Sequence, residues 1–216
     1  MTVPWAMQVV VRVEKDPAPS HTSVLRAAGS AVAISLHGFT SADADPEVRE
    51  RTERWRSGPI RKVVRRARGA GWTRQLAVAG AAVHRLYDVD VAVHVPGPVD
   101  EVDPEISRLQ VGGLTLEDPT DVDRSGEADV MLWLNPHVTL TTGKAAAQVG
   151  HAAQLVLQDL APDAANAWVE AGAPLGVAVA DESDWDRLLT TSPVVVTDGG
   201  FTEVAPGTVT VVATHP

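Results

Sequence analysis

Short apolar runs rich in β-branched residues alternate along this chain with longer stretches in which apolar positions recur every three or four residues, the pattern of strands and helices in a layered α/β protein. MQVVVRV (7–13) reads as a strand bounded by Asp16-Pro17-Ala18-Pro19. Ser20 or Thr22 then caps a helix with Val24, Leu25, Ala28, Val32 and Leu36 apolar, and His37-Gly38 is its expected stop. A second helix starts at Pro46, an N1-type position, runs through Trp55 and breaks at Gly58-Pro59. Further on, VMLWL (130–134) is a short buried strand ended by Asn135-Pro136-His137. Thr141-Thr142 can cap a helix that begins near Gly143 and reaches Leu160 without a proline. A short helix (162–170), a strand (175–180), a helix (182–190), a strand (193–197), a loop and a last strand (208–214) follow.

Segment 60–66 is ambiguous by itself and fits a helix as well as a strand. A register within the chain decides it. Trp55 and Trp168 are 113 residues apart, and so are Trp72 and Trp185, Arg74 and Arg187, Leu76 and Leu189, and Val83 and Val196. Gly29, Ala31 and Leu36 match Gly150, Ala152 and Leu157 at a separation of 121. Self-similarity in a fixed register implies a duplicated unit, and it makes 60–66 the twin of a strand. The expected architecture is a three-layer α/β/α sandwich with a mixed sheet, two repeats in one chain: 1–97, then 98–127 as an acidic Pro/Gly-rich connector with a short helix at 104–109, then 128–216. At the positions of Lys144 and His151 the first repeat has Ser23 and Ser30, and its version of the DGGFTEVAPG loop shrinks to a few residues near Tyr87-Asp88. The first repeat therefore reads as degenerate.

Composition changes the picture in three ways. The absence of cysteine excludes disulfides and thiolate metal sites. The start, MTVPWAMQVVV, lacks the basic region and long apolar stretch of a signal peptide, and no apolar run approaches the length of a membrane span, so a cytoplasmic protein without membrane attachment is expected. Net charge is −10, yet between Arg49 and Arg74 ten cations face two acids, a local +8. Such a segment is either a solvated face or a grip for phosphates, and its concentration in an acidic chain favours the grip.

The densest chemistry lies in GKAAAQVGHAA (143–153), where Lys144, Gln148 and His151 share one helix face by their spacing. It resembles the GK-x-AAQ-x-x-HA signature of the type II peptidyl-tRNA hydrolases. VVVTDGGFTEVAPGTVTVVATHP (194–216) resembles the closing segment of that family, a strand, a D-A-G-R-T-Q-x-x-P-G loop and a last strand. The resemblance spans residues 130–216. It implies hydrolysis of the ester between peptide and tRNA, with Lys144, Asp198 and Thr202 catalytic. Asp198 would orient or deprotonate water, Thr202 would hydrogen-bond near the carbonyl and Lys144 would stabilise an anion. Gly143, Gln148 and His151 would contact substrate, and Arg61, Lys62, Arg65 and Arg66 of the basic segment would hold the tRNA. From the residues alone, Asp198 could equally form the turn after its strand, Lys144 could be solvated, and His151 could be a structural imidazole.

Departures from the family pattern keep a second reading open, a catalytically inactive RNA- or protein-binding relative. Thr139 stands where the family has a second lysine, Phe201 where it has the loop arginine and Glu203 where it has glutamine. Residues 128–216 hold two cations and ten acids. No cofactor and no metal are expected: no histidine pair has zinc-ligand spacing with carboxylate support, Val138 and Ala145 rule out a phosphate-binding P-loop, and no G-x-S-x-G elbow occurs. The chain is expected to be a monomer with pseudo-dimeric repeats or a homodimer.

Overall fold

A computed structural model describes residues 3–120, 128–199 and 203–216. The first repeat runs β1 (Trp5–Arg12), α1 (His21–Thr40), α2 (Pro46–Arg56), β2 (Lys62–Ala67), α3 (Gly69–Leu76), β3 (Ala81–Leu86) and β4 (Val89–His94). Then come β5 (Gly97–Pro98) and α4 (Pro104–Ser107). The second repeat runs β6 (Met131–Leu134), α5 (Thr142–Asp159), α6 (Pro162–Glu170), β7 (Gly176–Val179), α7 (Glu182–Thr191), β8 (Val194–Thr197) and β9 (Val209–Thr214).

The two sheets have one topology. Strand order is β2-β1-β4-β3 in the first and β7-β6-β9-β8 in the second, with the first pair parallel and the others antiparallel in both. Residues 62–67 are strand, paired in parallel with β1 from Met7–Lys62 to Arg12–Ala67. The repeat reaches single hydrogen bonds: the indole N–H of Trp55 donates to Arg61 O (3.2 Å) and that of Trp168 to Pro174 O (3.0 Å), the same contact 113 residues later.

Alternation within the strands builds three layers in each repeat. Met7, Val9 and Val11 of β1 face the main core with α1, while Val10 faces Trp72 of α3 and Ile106 of α4. Likewise Val211 and Ala213 of β9 face the main core, and Val212 faces Trp185 and Leu188 of α7. The main core is continuous between the repeats because α1 and α5 pack against each other at its centre. Their starts meet where His21 Nδ1 pairs with Thr142 Oγ1 (2.9 Å), and their middles meet at Gly29 against Val149 and Gly150 against Val32, so the helices run in the same direction. Small residues set that approach: a methyl added at Gly29 would lie 2.5 Å from Leu175 Cδ1.

Several local expectations change. The helix α1 passes His37-Gly38 and ends at Thr40, whose hydroxyl bonds back to Leu36 O (2.8 Å). Glycine tolerates the helical conformation, and Ser41 closes the end through its N–H to Gly38 O. Thr141 occupies the N-cap of α5 and Thr142 its first position, but neither side chain caps the helix. Thr141 Oγ1 donates to Glu203 Oε1 (3.0 Å), and Thr142 Oγ1 accepts from Leu116 N (2.9 Å). The stretch from Leu114 to Asp118 lies across both parallel helix starts, the Asp118 carboxylate accepting from Thr22 N and Oγ1 at 2.7 Å each. A carboxylate there satisfies an orphan N–H and complements the helix dipole.

Candidate functional site

The helix α5 is alanine-rich and buried along the side that meets α1, which leaves Lys144, Ala147, Gln148 and His151 toward a cleft beside β2 and β8. The cleft has a volume of about 510 Å³. The second repeat supplies Gly143, Lys144, Gln148, His151, Asp198 and Gly199, and the first supplies Trp5, Pro59, Ile60, Arg61, Lys62 and Val64. Both repeats thus wall one cavity.

Asp198 is only 4% exposed and sits just after β8, at the mouth of the loop. Its N–H donates to Thr208 O and its C=O accepts from Gly207 N, both at 2.9 Å, closing the loop at its base. Gln148 Nε2 donates to Asp198 Oδ2 (2.6 Å), while Gln148 Oε1 accepts from Thr210 Oγ1 (2.9 Å). The amide is held at both ends, so it fixes the carboxylate and its own orientation together. Thr210 is the part that the motifs leave out, although a signal for it exists. Thr210 is a hydroxyl within the apolar run VTVVA and is 1% exposed, and a buried hydroxyl needs a partner.

Lys144, in the first turn of α5, is half-buried on the cavity wall. His151 stands two turns further along. Burial, and then the charge of Lys62, push its imidazole down to about 3, so it is neutral at pH 7. Lys62 enters from β2. Its stem passes Gly150, its ammonium donates to Gln154 Oε1, and it lies 5.0 Å from the centre of the Trp55 ring. It keeps a partly open surface on the cavity, yet the apolar mass around it holds its ammonium well below the ordinary lysine range. A helix glycine and a neighbouring tryptophan thus shape a niche for a lysine side chain carried by the first repeat.

The basic segment divides. Arg61 and Lys62 line the cavity, and the Arg54 guanidinium stacks 4.6 Å from the ring of Trp5 at its rim. Arg65 and Arg66 point elsewhere. Arg65 bonds Gln8 Oε1, Ser107 O and Leu109 O, and Arg66 bonds Gln110 Oε1, so both fasten the connector to β2. Arg74 pairs with Glu105 of α4 (2.9 Å). Thr202 and Phe201 lie outside the described residues. Glu203 accepts from Thr141 N and Oγ1 (2.9 and 3.0 Å) and so ties the loop to the start of α5, where a carboxylate is favoured. Among the described residues, no group of three or more His, Asp or Glu could hold a metal ion, and no helix is long and apolar enough to cross a membrane.

Residues 129–216 match the family model of peptidyl-tRNA hydrolase PTH2. That match covers the second repeat from just before β6 to the last residue, including α5, Asp198 and the loop. Neither a curated protein nor a solved structure matches the chain. The family region is therefore similar to a peptidyl-tRNA hydrolase, and the repeat that completes its cavity lies outside the match.

Proposed function

We propose that this chain hydrolyses the ester joining a peptide to tRNA. The observation that carries the reading is the convergence of Lys144 and the Gln148-held Asp198, both from the family-matched repeat, on one cavity that also receives Arg61 and Lys62. In this reading Asp198, with Thr202 of the same loop, orients and deprotonates a water. The carbonyl oxygen gathers negative charge as that water adds, and Lys144 at the start of α5 stabilises it together with the helix terminus. The ester C–O bond then breaks and the ribose oxygen regains a proton. Arg61 and the Trp5–Arg54 rim face the terminal nucleotide, supplying the cations that the acidic second repeat lacks.

The test is release of N-acetyl-amino acid from N-acetyl-aminoacyl-tRNA by purified protein. Lys144→Ala and Asp198→Ala are each expected to lower turnover by at least ~100-fold while leaving the fold intact. Turnover unchanged in both variants would remove the hydrolase reading. Retained tRNA binding without turnover in the unaltered protein would favour the second reading, a non-catalytic binding relative. Phe201 and Glu203 at family positions motivate that alternative, and Glu203 is engaged in holding the loop to α5.

A further inference from the structure

The cavity has a twin, and the twin is filled. The internal register pairs Leu175 with Lys62, Arg26 with Ala147, and the Tyr87-Asp88 turn with the loop after β8. On the filled side, Arg26 Nε donates to Leu175 O (2.7 Å) and the Tyr87 hydroxyl accepts from Leu175 N (3.0 Å). The Arg26 guanidinium also stacks on the Tyr87 ring at 4.2 Å. Two side chains of the first repeat thus bind the backbone donor and acceptor of one residue in the second. Across the pseudo-twofold relation, Ala147 has no group to offer, and the cavity opens instead.

The register of β2 shows what it opens onto. Met7 N–H donates to Arg61 O, and Met7 aligns with Lys62, so residues 61, 63 and 65 spend their backbone groups on β1. Residues 62, 64 and 66 turn theirs outward, and β2 is the edge of its sheet. Arg66 N meets Gln110 O (3.0 Å), which ends the open stretch. Among the described residues nothing pairs with the backbone N–H and C=O of Lys62 or Val64, and both residues line the cavity. An edge of this kind presents a donor and an acceptor together at every second residue, about 6.6 Å apart. A phosphate satisfies the donors and repels the carbonyls, whereas an extended peptide satisfies both. The filled twin supplies the same pair of partners, a donor for the carbonyl and an acceptor for the N–H.

We propose that the outer edge of β2, at Lys62 and Val64, binds an extended peptide as an added strand. Under the hydrolase reading, on which only this last identification rests, that peptide is the acyl portion of the substrate. Main-chain pairing reads no side chain, so the cavity accepts acyl chains of varied sequence while Lys144 and Asp198 meet the ester.

The test needs no turnover. Hydrogen exchange at the Lys62 and Val64 amides, followed by NMR on the intact chain, is measured with N-acetyl-tetraalanine amide and with its fully N-methylated counterpart. Tetraalanine should slow both amides by about tenfold or more at saturation, and the N-methylated peptide, which has lost its donors, should not. Ala147→Arg, which copies Arg26 into the open side, should abolish the effect of tetraalanine. No slowing, equal slowing by the two peptides, or slowing by a CCA trinucleotide in place of peptide would each overturn the proposal. Failure of the tRNA hydrolysis assay with the peptide effect intact would remove the hydrolase reading and leave the peptide site standing.

Discussion

One methyl group separates the glycines of α1. At Gly29 an added methyl meets Leu175 Cδ1 at 2.5 Å and Val149 Cγ1 at 2.9 Å in a core that has no slack, whereas at Gly38 it meets nothing within 4 Å. Gly29→Ala should therefore destabilise the chain by about 1–3 kcal/mol, and Gly38→Ala should stabilise it by about 0.5–1 kcal/mol through helix propensity. Urea unfolding of the two variants reads both signs. Protonation gives a second residue-scale test. Burial lowers the imidazoles of His94 to about 4 and, with the charge of Lys62, of His151 to about 3, against an ordinary value near 6.5 in the unfolded chain. Below pH 6.5 the unfolded state takes up protons that the folded state refuses, so stability falls as pH drops from about 6.5 toward 4. The loss by pH 5 is roughly 1–2 kcal/mol for each histidine. Thermal melts of His151→Gln should lose less between pH 7 and 5 than those of the unaltered protein. An equal loss would place the acid sensitivity elsewhere. Of the candidate site, Lys144, Gln148 and Asp198, which line one cavity, could be picked out of the sequence because they sit in motifs. The Gln148–Asp198–Thr210 chain of hydrogen bonds could not, since no local spacing relates a helix glutamine to a threonine 62 residues further on.

Elements show where local pattern ends and the repeat takes over. Residues 60–66 carry three apolar positions, Ile60, Val63 and Val64, among four cations, a pattern that fits a helix as well as a strand. They form an edge strand because β1 offers a parallel partner and Val64 is needed in the core. The internal register identified this strand where composition could not. It also located the shortened hairpin: Tyr87 and Asp88 have φ of 49° and 61°, the left-handed pair of a two-residue turn between β3 and β4. The helix α1 continues past Gly38 because a glycine stops a helix only when the chain after it must turn, and here two more residues, Phe39 and Thr40, extend it. The contact between Tyr87, Arg26 and Leu175 joins one repeat's elements to the other's. Arg26→Ala strands a buried carbonyl and should cost about 1–3 kcal/mol, and Tyr87→Phe about 1 kcal/mol, measured by chemical unfolding. Costs that simply add in the double variant would mean that the two side chains do not act as one plug.

At the scale of the molecule, the two-repeat α/β architecture was legible because tryptophans at a constant separation survive divergence. The shared cavity was not legible, because it depends on how α1 and α5 pack, and the residues that set the packing are small and unremarkable in sequence. Charge separates in the same way. Arg61 lines the cavity and Arg54 stacks on Trp5 at its rim, while Arg65, Arg66 and Arg74 hold the connector and α4. If tRNA binds as proposed, Arg61→Ala should lower the slope of log affinity against log salt by about one. Arg74→Ala, which breaks an ion pair within the protein, should leave that slope unchanged in the same filter-binding series. The plug of Arg26 and Tyr87 has a consequence for how ligand is counted. Two identical units related by a twofold axis would carry two equal clefts and could fill both. In this chain one cleft has been given over to the protein's own side chains. Under the proposed reading, saturation is one ligand per chain, with a hyperbolic isotherm, and the first repeat is released from any selection to recognise the ligand except from the far side of the one cleft that remains.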